Sequence, residues 1–245
     1  MGMIRKIAFL LLVCGVNLWA QKSPAVVTTI PEWLIPLREA VYEQKLTSAE
    51  IKPIYNEAKT ASQNNAQGTA LDAALSRCEY YMGRALLYEK LGEEARVHFV
   101  EGMRLGEKAV AEKPGAEAWL ILTENLSQNC GIGPWTYAVK YGLDVEKFAK
   151  NALTFNSRNA AAQYIIAARW VFAPAPFNNI KKGIEMMDEI FTNADMDKDD
   201  IFNTNIAIGY AYIHQKKHSD ARPWIQKALE IYPTNKYAAE LLAMK

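Results

Sequence analysis

The sequence predicts an all-α protein in which antiparallel helix pairs stack into a superhelix. Helical periodicity of apolar residues recurs from Glu32 to the end of the chain. Strand signals are nearly absent, and no Asn-Gly or Asp-Gly hairpin turn occurs. Related helical units also recur along the C-terminal two thirds of the chain, and such recurrence is typical of helical repeat proteins.

The composition is that of a folded protein, and its charge gives no indication of nucleic-acid binding. Of the 245 residues, 50% are hydrophobic and 22% are charged, which is ordinary for a globular chain. The formal net charge is +1, and without Arg5 and Lys6 it would be 1 − 2 = −1. No basic excess is left to contact phosphates, so we expect no nucleic-acid partner.

Residues 1–20 have the pattern of a secretory signal peptide. Arg5 and Lys6 form a positive start, residues 7–13 are continuously apolar, and Ala20 is a small residue before a polar stretch. The apolar run is too short to span a bilayer. We therefore predict cleavage after Ala20 and export to the periplasm or out of the cell.

A lipid anchor at Cys14 is the alternative to simple cleavage. Residues 11–14 resemble a bacterial lipobox, although that pattern has a small residue where Val13 stands. We expect membrane association only if Cys14 is lipidated. The other cysteines, Cys78 and Cys130, form no Cys-x-x-Cys pair and no Cys/His cluster, so we expect neither a zinc site nor a disulfide between them.

The mature chain divides into an N-terminal helical segment, residues 21–68, and a repeat domain, residues 69–245. Residues 31–61 read as two helices, and the second begins with the capping-box pattern of Thr47 and Glu50. Residues 62–68 are polar and resemble a linker.

The clearest repeat unit lies near the C-terminus. Small residues at fixed positions let two antiparallel helices approach closely, larger residues fill the space between them, and a proline stops the second helix. The positions that follow this pattern are Asn205, Ile208, Gly209, Tyr212, Ala221, Ile225, Ala228 and Pro233.

Related units precede this one, and together four degenerate repeats cover about residues 71–235. Residues 151–159 parallel residues 227–235, and residues 160–171 and 180–191 form another helix pair. A continuous apolar stripe predicts one lengthened helix over residues 93–113. A final helix, residues 236–244, is expected to cap the stack.

These units resemble the tetratricopeptide repeat (TPR) superfamily. The resemblance implies a right-handed superhelix with a concave groove, and a scaffold that binds partner proteins or peptides. The chain also looks like the T-component of bacterial TRAP transporters. That narrower resemblance implies an exported accessory that binds a small or apolar ligand and associates with a solute-binding transporter subunit.

No constellation of residues predicts catalysis, a metal or a cofactor. His214 and His218 are separated by two lysines, which would repel a cation. Residues 195–200 begin like a calcium loop, but Asp200 and Ile206 stand where the loop needs Gly and Glu. We expect these carboxylates to cap the next helix instead, and we expect the protein not to be an enzyme.

Two features are candidate binding surfaces. Residues 127–142 are predicted to form an inserted loop rich in aromatic residues, including Trp135, which either binds a partner or covers the core beneath it. The first helix of each pair is expected to line the groove. The candidate groove residues are Tyr80, Arg84, Leu120, Glu124, Tyr164 and Tyr210.

Overall fold

The computed structural model describes residues 27–244, so the predicted signal peptide and Cys14 lie outside the described residues. A 3-10 helix, Glu32–Leu34, is followed by eleven α-helices, and no strand occurs between residues 27 and 244. The helices are α1 Ile35–Glu43, α2 Ser48–Asn65, α3 Gly68–Tyr88, α4 Gly92–Glu112, α5 Ala116–Ile132, α6 Trp135–Phe155, α7 Ala160–Phe172, α8 Ile180–Asn193, α9 Lys198–His214, α10 His218–Ile231 and α11 Lys236–Ala243.

The eight helices α3–α10 form four antiparallel pairs, and α11 follows the last pair. The closest packing joins α3 to α4 and α9 to α10, while α5 packs on both α4 and α6. The lengthened helix predicted over residues 93–113 is α4, and the predicted capping helix is α11. The all-α architecture of stacked helix pairs is therefore confirmed.

The small residues of the repeat pattern stand where two helices touch. A Cβ atom on Gly209 would lie 2.6 Å from Cγ1 of Ile225, and Ala221 on the facing helix is buried. Gly83 is equally tight, because a Cβ there would lie 2.6 Å from Cε1 of Phe99. No larger side chain fits at these positions without moving a neighbour, which is the physical reason for the repeat pattern.

The prediction of a loop over residues 127–142 is wrong. Helix α5 continues to Ile132 and α6 begins at Trp135, so that only Gly133 and Pro134 separate them. The extra residues lengthen two helices instead of forming a loop, because Gly131 and Gly142 are tolerated within helices and the only strong breaker is the Gly-Pro pair. The linker predicted over residues 62–68 is also shorter than expected, because α2 extends to Asn65 and α3 begins at Gly68.

Both predicted helix starts are confirmed. Thr47 and Glu50 form a reciprocal capping box at the start of α2. Asp197 and Asp200 form a second capping box at the start of α9, as expected of the acidic residues before that helix. Cys78 is buried, Cys130 is half-buried, and both thiols are free. Among the described residues, no helix is both long and apolar enough to cross a membrane.

Candidate functional site

Helix α1 packs between the first and the last helix pair of the repeat array. Its Tyr42 is fully buried and packs edge-on against Phe202 of α9, with ring centroids 5.6 Å apart. The same ring stacks on Tyr232 at 5.1 Å, and its hydroxyl accepts a hydrogen bond from the amide of Asn203 at 2.9 Å. Because α1 also packs on α3, this helix joins the first helix pair to the last one.

The end of α1 is hydrogen-bonded to the turn between α10 and α11. The Nδ2 of Asn235 donates to the backbone oxygen of Tyr42 at 2.7 Å. Gln44, in a left-handed conformation with φ 54°, accepts from the backbone nitrogen of Lys236 at 2.7 Å through its Oε1. The N-terminal segment therefore closes the array through contacts nearly two hundred residues apart in the sequence.

A buried ion pair joins the same segment to the start of α9. Nη1 of Arg38 lies 2.6 Å from Oδ1 of Asp197, and both side chains are buried. Asp197 also accepts hydrogen bonds from the backbone nitrogen and the hydroxyl of Thr29, at 2.8 and 2.9 Å. The residue that caps α9 thus also binds the N-terminal segment.

Two of the candidate groove residues lie beneath α1. Tyr80 is buried, and this burial raises the pKa of its hydroxyl to about 12. The guanidinium of Arg84 donates to the hydroxyls of Tyr42 at 3.2 Å and Tyr80 at 3.0 Å, and it also contacts the hydroxyl of Tyr88. Tyr80 is therefore closed to a partner in this structure, whereas Arg84 is only half-buried, and the role of both residues in binding stays a prediction.

Tyr164 and Tyr210 lie in different surroundings. Tyr164 packs against apolar residues of α6, α8 and α9, and burial raises its pKa while the charge of Arg84 lowers it. Tyr210 packs on Phe172 at 5.0 Å and on His214 at 4.3 Å between ring centroids. Tyr164 is therefore half-buried against these helices, whereas Tyr210 lies toward the C-terminal ends of α7 and α9.

Leu120 and Glu124 line a cavity of about 220 Å³, and no residue of α1 is among its lining residues. It lies between the extended segment before the 3-10 helix, helix α3, the N-terminal ends of α5 and α7, and the start of α9. Its lining residues are Thr29, Ile30, Arg77, Ala116, Glu117, Leu120, Glu124, Asn156, Asn159, Ala160, Ala161, Asp195, Asp199 and Asp200. We call this space the acidic cavity, because five of these residues are carboxylates and one is an arginine.

One arginine binds two carboxylates of the acidic cavity. Nη2 of Arg77 lies 2.7 Å from Oε1 of Glu117, and Nη1 lies 3.1 Å from Oε2 of Glu124. Burial nevertheless raises the pKa of Glu124 to about 7. Burial and the charges of neighbouring aspartates likewise raise the pKa values of Asp199 and Asp200. The cavity therefore holds more carboxylates than its cation can neutralise.

Trp135 lies at the start of α6 and is 75% exposed. Val139 and Leu143, at successive four-residue steps of the same helix face, are 67% and 71% exposed. Phe172 and Phe177, at the end of α7 and in the following turn, are also exposed. The sequence analysis does not identify Val139 and Leu143, because the loop predicted over residues 127–142 contains Val139 and separates it from Leu143, so that their helical spacing is not recognised.

One ion pair between α6 and α7 indicates that the exposed residues on these helices lie toward the same end of the helix pair. Glu146 of α6 forms an ion pair with Arg169 of α7, and the two helices are antiparallel neighbours. From this contact, α6 runs back toward Trp135 while α7 runs forward to Phe172, so both lead in the same direction. We call the surface of Trp135, Val139, Leu143, Phe172 and Phe177 the apolar end.

A second cavity, of about 490 Å³, lies at the opposite end of α1, between the ends of α1 and α3 and the start of α11. Its walls are more apolar than those of the acidic cavity. They include Val41, Leu46, Ile51, Leu87, Tyr88 and Tyr237. Among residues 27–244, no group of three His, Cys, Asp or Glu side chains is arranged to hold a metal ion.

Comparisons with known proteins establish the fold. No protein-family model matches the sequence, and the comparison with curated proteins finds no match. The chain is similar to TTC0263, a thermophilic TPR protein of Thermus thermophilus, at 17% identity and a TM-score of 0.58, covering 86% of this chain and all of the other. It is more loosely similar to YrrB, described as a TPR protein with an unusual peptide-binding site, at 14% identity and a TM-score of 0.35, covering 86% of this chain and 91% of that one. With its four antiparallel helix pairs, this chain has the tetratricopeptide-repeat fold.

Proposed function

We propose that this protein is an exported interaction scaffold that binds a partner protein or peptide, and that its role is binding and not catalysis. The observation that carries the proposal is the apolar end. Single exposed apolar residues are common on protein surfaces, but clusters of large ones mark contact sites. Here five large side chains, three of them aromatic, are exposed at one end of two neighbouring helices.

The charges around the apolar end indicate the chemistry of the partner. Residues 133–144 and 170–185 contain Lys140, Lys181 and Lys182 and two acidic residues, Asp144 and Glu185, for a net charge of 3 − 2 = +1, and Glu185 lies 3.8 Å from Lys181. A complementary partner segment carries apolar residues flanked by Asp or Glu. We therefore propose an acidic amphipathic segment of a protein as the occupant of this surface.

The concave groove has a different part in this proposal. Arg84 donates hydrogen bonds to Tyr42 of α1 and to the buried Tyr80, so the chain's own segment contacts part of the proposed groove. A partner on the apolar end contacts Trp135 without displacing α1. Groove binding through Tyr80, Arg84 and Tyr164 would additionally need α1 to leave.

Site-specific photo-crosslinking in the producing cells tests the proposed surface. Val139 is replaced by the photoreactive residue p-benzoylphenylalanine, and the matched control carries the same replacement at Val97, which is 69% exposed on α4. We expect one crosslinked protein partner from position 139 and none from position 97.

Two results would contradict a protein partner. Equal crosslinking from both positions would mean that the apolar end has no special role. Cosedimentation with phosphatidylglycerol vesicles, lost on Trp135→Ser and without any crosslinked protein, would mean that a membrane surface is the occupant.

The larger, more apolar cavity supports a second candidate function. Its volume of about 490 Å³ is within the usual range of small-molecule sites. A transport accessory that holds a small apolar ligand, as the TRAP T-component resemblance implies, would use this space. Native mass spectrometry of the protein tests it: a retained small molecule that is lost on Leu87→Trp supports this role, and a ligand-free mass argues against it.

Export is part of the proposal and has its own test. The signal-peptide pattern places the start of the mature chain at Gln21. Intact-mass measurement of the protein recovered from cells is expected to give the mass of residues 21–245. A lipid-modified species starting at Cys14 would instead mean that the protein is anchored to a membrane.

A further inference from the structure

The second cavity, of about 490 Å³, contains a buried hydrogen-bond donor without a partner. Gln44 lines this cavity and is only 7% exposed. Its Oε1 accepts hydrogen bonds from the backbone nitrogens of Lys236, at 2.7 Å, and Tyr237, at 3.2 Å. Its Nε2 is buried and has no hydrogen-bond partner among residues 27–244. A buried donor normally has a partner, and leaving it unpaired costs free energy.

The orientation of the Gln44 amide is fixed by its oxygen. Backbone N–H groups only donate, so the atom that meets Lys236 and Tyr237 must be the acceptor Oε1. Turning the amide over would replace both hydrogen bonds by contacts between donors. The unpaired Nε2 is therefore directed away from the start of α11, and it is the donor that Gln44 contributes to the cavity.

Two other polar groups of the lining favour a ligand that accepts hydrogen bonds. Both carboxylate oxygens of Glu89 accept from Ser48, one from its backbone nitrogen at 2.7 Å and the other from its hydroxyl at 2.6 Å. This acceptor is therefore already used within the protein. The hydroxyl of Tyr88 accepts from the guanidinium of Arg84, which leaves its own proton available to a ligand.

The rest of the cavity wall suits a hydrocarbon chain. Its aliphatic members are Val41, Leu46, Ile51, Ala85 and Leu87. Leu46 is 39% exposed although its side chain is apolar, and a bound chain would remove part of it from water. The lysines of the lining, Lys90 and Lys236, are exposed, so a charged head group on the ligand would meet them at the rim.

We propose that the second cavity binds an amphiphile that carries a carbonyl oxygen, in a carboxylate or in a neutral carbonyl group. This oxygen accepts a hydrogen bond from Nε2 of Gln44, and the hydroxyl of Tyr88 supplies a second donor. The apolar chain lies against Leu46 and Leu87. The inference rests on the second candidate function, a small apolar ligand in this cavity, and adds the polar group by which that ligand is recognised.

Isothermal titration calorimetry of the unaltered protein tests this inference with three probes that have the same number of carbon atoms. Octanoate and 2-octanone carry the proposed acceptor, whereas octylammonium has only donors. We expect octanoate or 2-octanone to bind at least about tenfold more tightly than octylammonium, because an ammonium group would leave the donor of Gln44 unpaired. This comparison does not depend on the folding of any variant.

A conservative substitution tests the role of the donor. Gln44→Glu keeps an acceptor for the backbone nitrogens of Lys236 and Tyr237 but replaces Nε2 by an oxygen. We expect it to weaken binding of the carbonyl probes at least about tenfold. The matched control is Gln226→Glu, which makes the same change at an exposed position of α10 and should leave binding unchanged. Circular dichroism spectra and melting curves verify that both variants are folded.

The outcomes separate this inference from the candidate function on which it rests. If Leu87→Trp abolishes binding while Gln44→Glu leaves it unchanged, the apolar cavity stands and the recognition by Gln44 is wrong. Equal affinities for all three probes, or no binding of either carbonyl probe, would also overturn the inference. A preference for octanoate identifies a carboxylate as the head group, and a preference for 2-octanone identifies a neutral carbonyl group.

Discussion

Two ion pairs before α9 allow a matched test of how the N-terminal segment is held. Arg38 and Asp197 are 2.6 Å apart and both buried, whereas Arg158 and Asp195 are also 2.6 Å apart but about half exposed. The pairs have the same chemistry, the same distance and acidic partners two residues apart. Arg38 also lies 3.0 Å from Glu39 and 3.7 Å from Asp199. Replacing each arginine with Met therefore compares a buried arginine that has three carboxylate neighbours with an exposed one that is paired with Asp195.

The structure indicates the size of each effect. Breaking a buried ion pair leaves an uncompensated charge and costs about 3–5 kcal/mol. We expect the lower end, about 3 kcal/mol, for Arg38→Met, because Asp197 keeps its hydrogen bonds from Thr29 and Lys198. An exposed pair contributes about 0–1 kcal/mol, so Arg158→Met should change the free energy of unfolding by no more than that.

Urea and thermal unfolding followed by circular dichroism measure both variants. With about 2–4 °C per kcal/mol for a chain of this size, Arg38→Met should lower the melting temperature by roughly 6–12 °C and Arg158→Met by less than about 4 °C. The Arg158→Met effect should shrink further in high salt, because exposed charges are screened. Equal losses in the two variants would refute the buried closure by α1.

Three further predictions concern the core, the acidic cavity and the candidate residues. Gly102→Ala should destabilise the fold by about 1–3 kcal/mol in urea unfolding, because its Cβ would lie 2.2 Å from Oδ1 of the buried Asn125; an unchanged midpoint would contradict this packing. Burial raises the pKa of Glu124 from 4.5 to about 7. Between pH 4.5 and pH 7 the folded protein therefore holds a proton on Glu124 that the unfolded chain has lost. The free energy of unfolding should fall as the pH rises through this range, by on the order of 3 kcal/mol in all. Glu124→Gln should therefore flatten the stability profile between pH 5 and 8, and parallel profiles would count against it. Tyr164→Ala should lower the melting temperature clearly, whereas Trp135→Ala should leave it nearly unchanged, because the first ring is half-buried against the core and the second is 75% exposed. Similar melting curves for the two variants would contradict these positions.

The repeat architecture could be predicted because its signals are local. Gly209, Ala221 and Ile225 fall at the spacing that brings two neighbouring helices together, and their contacts follow from that spacing. The capping boxes at Thr47 and Asp197 depend on residues only three positions apart. Trp135, in the aromatic stretch that the sequence singles out, is 75% exposed, although the loop predicted for this stretch is wrong.

The closure of the array depends on contacts that no local pattern contains. Arg38 meets Asp197, and Tyr42 meets Phe202 and Tyr232, because α1 packs between the first and the last helix pair. Sequence periodicity identifies a helix face as apolar but does not specify which distant helix covers it. The sequence therefore predicts Tyr80 as an accessible groove residue, because no local pattern shows that it is buried in the folded chain.

The sequence by itself determined the helix pairs, their order and the small residues at their contacts, since these follow from periodicity and side-chain size over about thirty residues. Only the tertiary structure decided that α1 packs against both the first and the last helix pair, and that Glu124 and Asp199, from helices far apart in the chain, line one cavity with Arg77. The physical reason is that charge and burial at a site are sums over all neighbours in space, and those neighbours are selected by the packing of the whole array.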